Sequence, residues 1–298
     1  MDKVACIIVT YNASRWIYNC LKSIDEKNIE LEIIVIDNNS NDNTITIIKE
    51  NFPLVKILAQ SENLGFAAAN NLGFKIAEEN RAQYIYLLNQ DTVSYPDSIY
   101  QLVQFSGNFD SKLGFVSPIH LNDSGKKLDY AFETYINSYT CRSLISDYLT
   151  NNIKKCYQID FVNAAAWLIK VETIRNLGGL FSSAFYHYGE DVNFVQRLSY
   201  NGYKNYILTD VFVNHCRAER QGKINSAFVR KEAIIRAKTE LYNINKSLRS
   251  SIFEVFKIAI KNLLRRHFIN SLLLLIMPIK DLQKIREIRK SYKTSKIL

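Results

Sequence analysis

Three short apolar runs in this chain each end on a cluster of polar residues, with helix-like stretches between them. Val4 to Val9 leads into Thr10-Tyr11-Asn12, Leu31 to Ile36 into Asp37-Asn38-Asn39-Ser40, and Tyr84 to Leu88 into Asn89-Gln90-Asp91-Thr92. A run that is apolar at nearly every position suits a strand covered on both faces, as in the middle of a parallel sheet. Two further strands are expected over Leu54–Leu58 and Leu113–Ser117. Ile17, Cys20, Leu21 and Ile24 share one face of a helix expected from Ser14 to about Lys27. Ser40 or Asn41 can cap a second helix, Gly65 to Glu79 reads as a third, and Pro96 stands where a first-turn proline opens a fourth.

Strands and helices alternating at this spacing predict an α/β fold, with a Rossmann-like, mostly parallel layered sheet. Right-handed crossovers would bring the strand ends to one side, and an open sheet of this kind keeps its ligand site there. The periodicity fades from Ile119 to Gln158, which reads as an irregular insertion. Ile159 to Lys170 is extended again, Glu190 to Asn201 helical, and Tyr203 to His215 holds two strand-like runs. Polar strand ends followed by the isolated acidic pair Glu190-Asp191 point to an enzyme that grips a nucleotide and activates a hydroxyl.

The charge is unevenly placed. Arg220 to Leu298 hold 19 Lys and Arg against five Asp and Glu, so the net charge of +9 belongs wholly to the C-terminal part. There the pattern turns all-helical, with Phe228, Ile235, Leu241, Ile244 and Leu248 on one stripe. The apolar run from Phe268 to Ile279 is too short to span a bilayer, and Arg265, Arg266, Lys280 and Lys284 flank it. That suits an interfacial helix on an anionic membrane surface, and equally a buried bundle with a solvated basic face. The expected organisation is a catalytic domain over residues 1–222 and a basic helical extension over 223–298. Five widely spaced cysteines without metal-ligand spacing suggest neither a disulfide framework nor a structural zinc site. With no signal-peptide pattern at the N-terminus, the expected location is cytoplasmic, peripheral on the inner face of the plasma membrane.

Taken together, the motifs resemble family 2 of the inverting nucleotide-sugar glycosyltransferases, which have the GT-A fold. More narrowly, Asn63-Leu64-Gly65-Phe66-Ala67 and Gly178-Gly179-Leu180-Phe181 resemble its rhamnosyltransferase-like branch. The resemblance covers roughly residues 3 to 220. It implies that Thr10, Tyr11 and Asn12 contact the base and ribose, and that Asp37 accepts the imide N–H of uracil or thymine. Asn63, Gly65 and Asn70 would then help hold the donor, although Asn70 replaces an arginine found in many relatives. Asn89-Gln90-Asp91 stands for an acidic motif that binds the donor with Mg²⁺ or Mn²⁺, with Asp91 and His215 as metal ligands and Asn89 near the ribose. Arg217 and Arg220 could meet the diphosphate. Asp191 would be the base that deprotonates the acceptor hydroxyl, with Glu190 and Trp167 shaping the acceptor site.

The implied function is transfer of a sugar from a UDP- or dTDP-sugar, such as dTDP-rhamnose, to a glycan or lipid-linked acceptor in bacterial cell-surface polysaccharide biosynthesis. A rival reading is a nucleotide-sugar-binding protein of the same fold without turnover, favoured by Asn89 and Asn70. Nucleic-acid binding through the basic tail finds no recognisable motif. The sequence leaves oligomerisation open.

Overall fold

The computed structural model describes residues 1–109, 112–217 and 226–295. The expected boundary at 222/223 and Arg220 lie outside the described residues. Strand β1 (Lys3–Thr10) is followed by helix α1 (Ile17–Lys22), β2 (Glu30–Asp37), α2 (Thr44–Asn51), β3 (Lys56–Ala59), α3 (Gly65–Glu79) and β4 (Tyr84–Asn89). These form the parallel half of the sheet, in the order β3-β2-β1-β4. The chain goes from β1 outward to β2 and β3, then returns to β4 on the other side of β1. The crevice between the ends of β1 and β4 is therefore the topological switch point, where such sheets bind ligands.

The second half is mixed. It contains β5 (Thr92–Ser94), α4 (Ser98–Gly107), β6 (Leu113–Leu121), the short helices α5 (Tyr130–Tyr135) and α6 (Leu144–Leu149), β7 (Cys156–Ile159), β8 (Ala166–Lys170), α7 (Val171–Asn176), α8 (Glu190–Tyr200) and β9 (Lys204–His215). The sheet continues β4-β8-β6-β9-β5, with β7 also on β9. β8 is antiparallel to both β4 and β6, so β6 and β9 keep the direction of β1 to β4. The segment expected to be irregular thus supplies the end of β6, two short helices and β7. Tyr203 to His215 contributes one long strand with a register shift against β6. The fourth helix starts at Ser98 rather than Pro96. Glu26, from the loop after α1, accepts from the Ile99 and Tyr100 amides at 2.7 and 3.0 Å and so satisfies its exposed first-turn donors.

Side-chain alternation divides the core into two layers. On β1, Ala5 and Ile7 face a cluster with Ala69 and Ala77 of α3 and Phe194 of α8. Val4, Cys6 and Ile8 face Ile17 of α1, Ile48 of α2 and Leu102 of α4. At Gly73 of α3 a methyl group would come within 2.5 Å of Ile7 Cγ2, so the small residue lets the helix lie close on the sheet. All five cysteines are free, three of them buried.

After the undescribed stretch come α9 (Ser226–Leu241), α10 (Leu248–Leu264), α11 (Phe268–Lys280) and α12 (Leu282–Lys293), with a cluster built from Ala237, Leu241, Val255, Ala259, Leu274 and Ile288. Phe185 from the α/β part joins this cluster. α12 is tied back further: the Tyr292 hydroxyl donates to Ser182 Oγ at 2.6 Å, and the buried Arg197 guanidinium of α8 lies 5.6 Å from the Tyr292 ring. α11 is apolar nearly all round: it buries Leu274 and Pro278 together with Asn270 and Ser271, and exposes Phe268, Ile269, Leu272 and Ile279.

Candidate active site

A cleft of about 410 Å³ opens at the switch point. Its floor comes from strand ends: Val9 and Tyr11 after β1, Asn38 after β2, and Asn89 and Gln90 at the end of β4. Its far wall comes from Asn163 and Ala164 before β8, Tyr135 of α5, Tyr186 to Tyr188, and Glu190 and Asp191 at the start of α8. Arg217 and Lys231 stand at its edge.

Gln90 braces the exposed Tyr11. Its Oε1 accepts from the Tyr11 amide at 2.8 Å, while its Nε2 donates to the Tyr11 carbonyl at 3.4 Å. Asn38 holds the turn before α3, donating to the Gly65 carbonyl at 3.3 Å. Asn63 Oδ1 accepts from the Gly65 amide at 2.9 Å, and the Tyr186 hydroxyl donates to the Asn63 carbonyl at 2.8 Å. Gly65 adopts φ +80°, and a side chain there would strike the Tyr186 carbonyl oxygen, so both conformation and closeness require glycine.

Glu190 and Asp191 open α8 behind Tyr188 and Gly189, both in the left-handed region at φ 73° and 91°. Tyrosine seldom adopts that conformation, and such strained turns gather at functional sites. Burial, with the neighbouring Asp191 charge second, pushes the Glu190 carboxyl from its ordinary 4.5 up to about 8. Asp191 is also raised by desolvation, opposed by the amides of Val192 and Ala164 and by the Arg217 charge. The Tyr135 phenol is pushed up to about 12 by burial and then by Asp191, so it is a neutral hydrogen-bonding group beside that carboxylate. Burial and mutual repulsion thus raise both carboxyls, which disfavours having the two ionised at once.

Seven of the residues expected at the site line this cleft: Tyr11, Asn63, Gly65, Asn89, Glu190, Asp191 and Arg217. Others are placed differently. Asp37 is fully buried, accepting at 2.8 Å from Thr10 Oγ1 and at 2.5 Å from Ser40 Oγ. It organises the ends of β1 and β2 and does not line the cleft, and neither does Thr10. Asn12, at φ 50°, accepts from the Asn41 amide at 2.9 Å and ties the first two turns together. Asn70 donates to the Phe66 carbonyl one turn back at 2.9 Å, inside α3. Trp167 is a correction: it is 0% exposed and stacks on Phe115 at 4.2 Å, because its position on β8 faces the core rather than an acceptor.

Asp91 also leaves the main cleft. It lines a smaller pocket of about 180 Å³ with Asp123 and Cys216. There Asp91 Oδ1 lies 3.5 Å from His215 Nε2, and Asn89 Nδ2 lies 3.3 Å from the same ring nitrogen. Strand pairing sets the contact, since β5 places Thr92 directly opposite His215. Two cis ligands on Mg²⁺, each at about 2.1 Å, are about 3 Å apart. At 3.5 Å the Asp91–His215 pair lies near that spacing, with both side chains fully buried. Among the described residues, no three His, Cys, Asp or Glu side chains converge as a metal cluster.

The sequence reading gave no site role to Asn163, Tyr135 or Lys231. Tyr135 lies where periodicity fades and Lys231 in the distant helical part; only the aromatic run Tyr186-His187-Tyr188 carried a local signal.

Comparison with known proteins gives the family and the fold. The chain is 38% identical over 91 residues to the SPbeta prophage-derived glycosyltransferase SunS of Bacillus subtilis (strain 168), covering 30% of this chain and 20% of that protein. It is 33% identical over 98 residues to the dTDP-rhamnosyl transferase RfbG of Shigella flexneri, covering 31% and 34%. The matched segments thus span about a fifth to a third of these relatives. Residues 1–349 of S. aureus TarS in complex with UDP-GlcNAc superpose with a TM-score of 0.58 at 16% identity, covering 98% of this chain and 92% of that one. GalNAc-T7 with UDP, GalNAc and Mn²⁺ gives 0.56 at 14% identity, covering 80% and 51%. The fold shared with these structures is GT-A. Residues 5–177, more than half of the chain, match glycosyl transferase family 2, and the chain belongs to that family.

Proposed function

We propose that this chain is an inverting glycosyltransferase that moves a sugar from a UDP- or dTDP-sugar to a hydroxyl of a cell-surface glycan or lipid-linked acceptor. The observation that carries the reading is the cleft itself, with exposed Tyr11 braced at the β1 end and the Glu190-Asp191 pair on the opposite wall. The Tyr11 ring stacks on the pyrimidine base, and Asn89 and the turn at Asn63 hold the ribose and diphosphate side. Asp191 takes the acceptor hydroxyl's proton as its oxygen attacks the anomeric carbon from the face opposite the diphosphate, which inverts the configuration. Neutral Glu190 donates a hydrogen bond to the acceptor without competing for that proton. Arg217, half-exposed at the edge, meets the leaving diphosphate.

Asp91 and His215 would hold the divalent cation, Mg²⁺ or Mn²⁺; when bound it neutralises the charge of the departing diphosphate. The relatives support both donor classes, since TarS is complexed with UDP-GlcNAc and RfbG is a dTDP-rhamnosyl transferase.

In this reading residues 1–222 are the catalytic domain and 223–298 a helical extension that rests on the cytoplasmic face of an anionic membrane. The exposed face of α11 supports this: it is apolar, and Arg265, Arg266 and Lys280 flank it. No helix among the described residues is long and apolar enough to cross a membrane.

The test is Asp191→Asn assayed against a panel of UDP- and dTDP-sugars. Donor binding by thermal shift should persist, while transfer falls by roughly two to four orders of magnitude, the usual size of a general-base effect. Near-normal transfer by the variant overturns the assignment. Donor binding without turnover in the wild type favours a binding protein of the same fold.

A further inference from the structure

A second and larger hollow, about 960 Å³, lies between α9 and α10. It shares His187, Tyr188 and Lys231 with the active-site cleft, so the two are continuous past the Tyr188 ring. Its walls carry five basic residues, Lys231, Arg236, Lys257, Lys261 and Arg265, against Glu232 and Glu254. Glu254 is already paired with Lys257 at 2.9 Å. Among the described residues, no carboxylate lies within ion-pair distance of Arg236, Lys261 or Arg265. Lys231 stands at the junction, with its ammonium 5.1 Å from the Tyr188 ring.

The hollow has a direction. Lys257, Lys261 and Arg265 follow one another at four-residue spacing along α10, so they line one face of that helix over about 12 Å. The row ends at Arg265, where α10 turns into α11 and the exposed apolar face begins with Phe268 and Ile269. The neighbouring face of α10 is also apolar and exposed, through Phe253, Phe256, Ile260 and Leu264. The hollow thus adjoins the Glu190-Asp191 cleft through Tyr188 and Lys231, carries the cations on its wall, and has exposed apolar residues of α10 and α11 beside it.

We propose that this hollow binds the phosphate or diphosphate of a lipid-linked acceptor. Its sugar hydroxyl enters the cleft past Tyr188, its anion lies against Arg236, Lys261 and Arg265, and its lipid leaves over α11. The proposal rests on the glycosyltransferase reading and adds the chemical class of the acceptor. Row and apolar face together favour a lipid phosphate over a phosphate polymer or nucleic acid, which would need the cations but not the exposed side chains. Guanidinium and ammonium groups suit phosphate oxygens through charge-assisted hydrogen bonds.

The experiment uses the full chain and the double variant Arg236→Gln/Lys261→Gln, two exposed positions whose change should leave folding intact. Binding is measured to phosphatidylcholine vesicles doped with polyprenyl diphosphate, to phosphatidylglycerol vesicles of equal surface charge, and to soluble polyphosphate. UDP binding is followed separately by thermal shift. The wild type should bind the polyprenyl diphosphate vesicles most tightly. The variant should lose about tenfold or more of that affinity, as expected for two lost charge-assisted contacts, and change little on phosphatidylglycerol or UDP. Unchanged affinity for the doped vesicles overturns the proposal, as does an equal loss on both vesicle types. Binding of polyphosphate as tight as that of the doped vesicles overturns it in favour of a polymeric acceptor. Failure of the wild type to bind UDP or any nucleotide sugar would instead defeat the glycosyltransferase reading, which none of the vesicle results can do.

Discussion

The Tyr186 hydroxyl donates to the Asn63 carbonyl at 2.8 Å, and the Tyr186 carbonyl accepts from the Phe66 amide at 3.1 Å. One residue from the loop before α8 thus clasps the turn that opens α3 and joins the donor wall of the cleft to the acid wall. Gly65 sits inside this clasp with φ +80°.

Gly65→Ala should therefore do more than remove a flexible residue. The added methyl forces the clasp open and places an L-residue in a left-handed conformation, a strain of about 1–3 kcal/mol. The expected result is a lower melting temperature together with weaker UDP binding in calorimetry. Stability and UDP affinity both like the wild type would show that the clasp does not shape the donor wall.

The Glu190 carboxyl, raised from 4.5 to about 8, makes stability depend on pH in a defined direction. Between these two values the folded state binds more protons than the unfolded chain, so stability falls as pH rises through that window. Glu190→Gln should flatten this slope in thermal melts from pH 4.5 to 8. In transfer assays the wild type should lose activity above about pH 8, as the ionised Glu190 no longer donates and raises the Asp191 pKa further. The glutamine variant should lack that alkaline limb. An identical limb in both proteins would remove Glu190 from the assignment.

Metal dependence is expected to centre on Asp91. Asp91→Asn should abolish the gain in nucleotide-sugar affinity that Mn²⁺ provides, and His215→Ala should reduce it less, since water can replace a neutral ligand more readily than a charged one. Titration calorimetry with Mn²⁺ and with EDTA reads the difference. Equal donor affinity in the two conditions for the wild type counts against any role for the pair in holding a cation.

The exposed apolar face of α11 should hold the protein on anionic vesicles. Leu272 is 58% and Ile276 45% exposed, and full burial of such a side chain is worth about 1.5–3 kcal/mol. Leu272→Ser/Ile276→Ser should weaken sedimentation with phosphatidylglycerol vesicles by about tenfold or more, most clearly at high salt where attraction through the basic residues is screened. If the substitutions instead change the sedimentation coefficient of the free protein, α11 is an interface between copies of the chain.

Much of this protein was legible in the amino-acid sequence because the signals are local. The uninterrupted apolar runs of β1 and β4, and the period and ends of α3, depend only on neighbours within a few residues, and α3 spans Gly65–Glu79 as expected. The motifs at the strand ends also carried the family and hence the GT-A fold. What a side chain faces is another matter. Trp167 and Asn89 lie on neighbouring strands, yet one stacks in the core and the other lines the cleft, because Trp167 pairs with Leu87, two residues inside the end of β4 at Asn89. Asp37 and Asn70 carry polar groups suited to a ligand, but Thr10 and Ser40 engage the first and the turn of α3 at Phe66 the second. The pairing of Asp91 with His215, the clasp of Tyr186 on Asn63, and the reach of Lys231 from α9 to the cleft join residues far apart in the chain. Such contacts exist only once strand order and helix packing have brought the segments together, so tertiary structure alone could decide them.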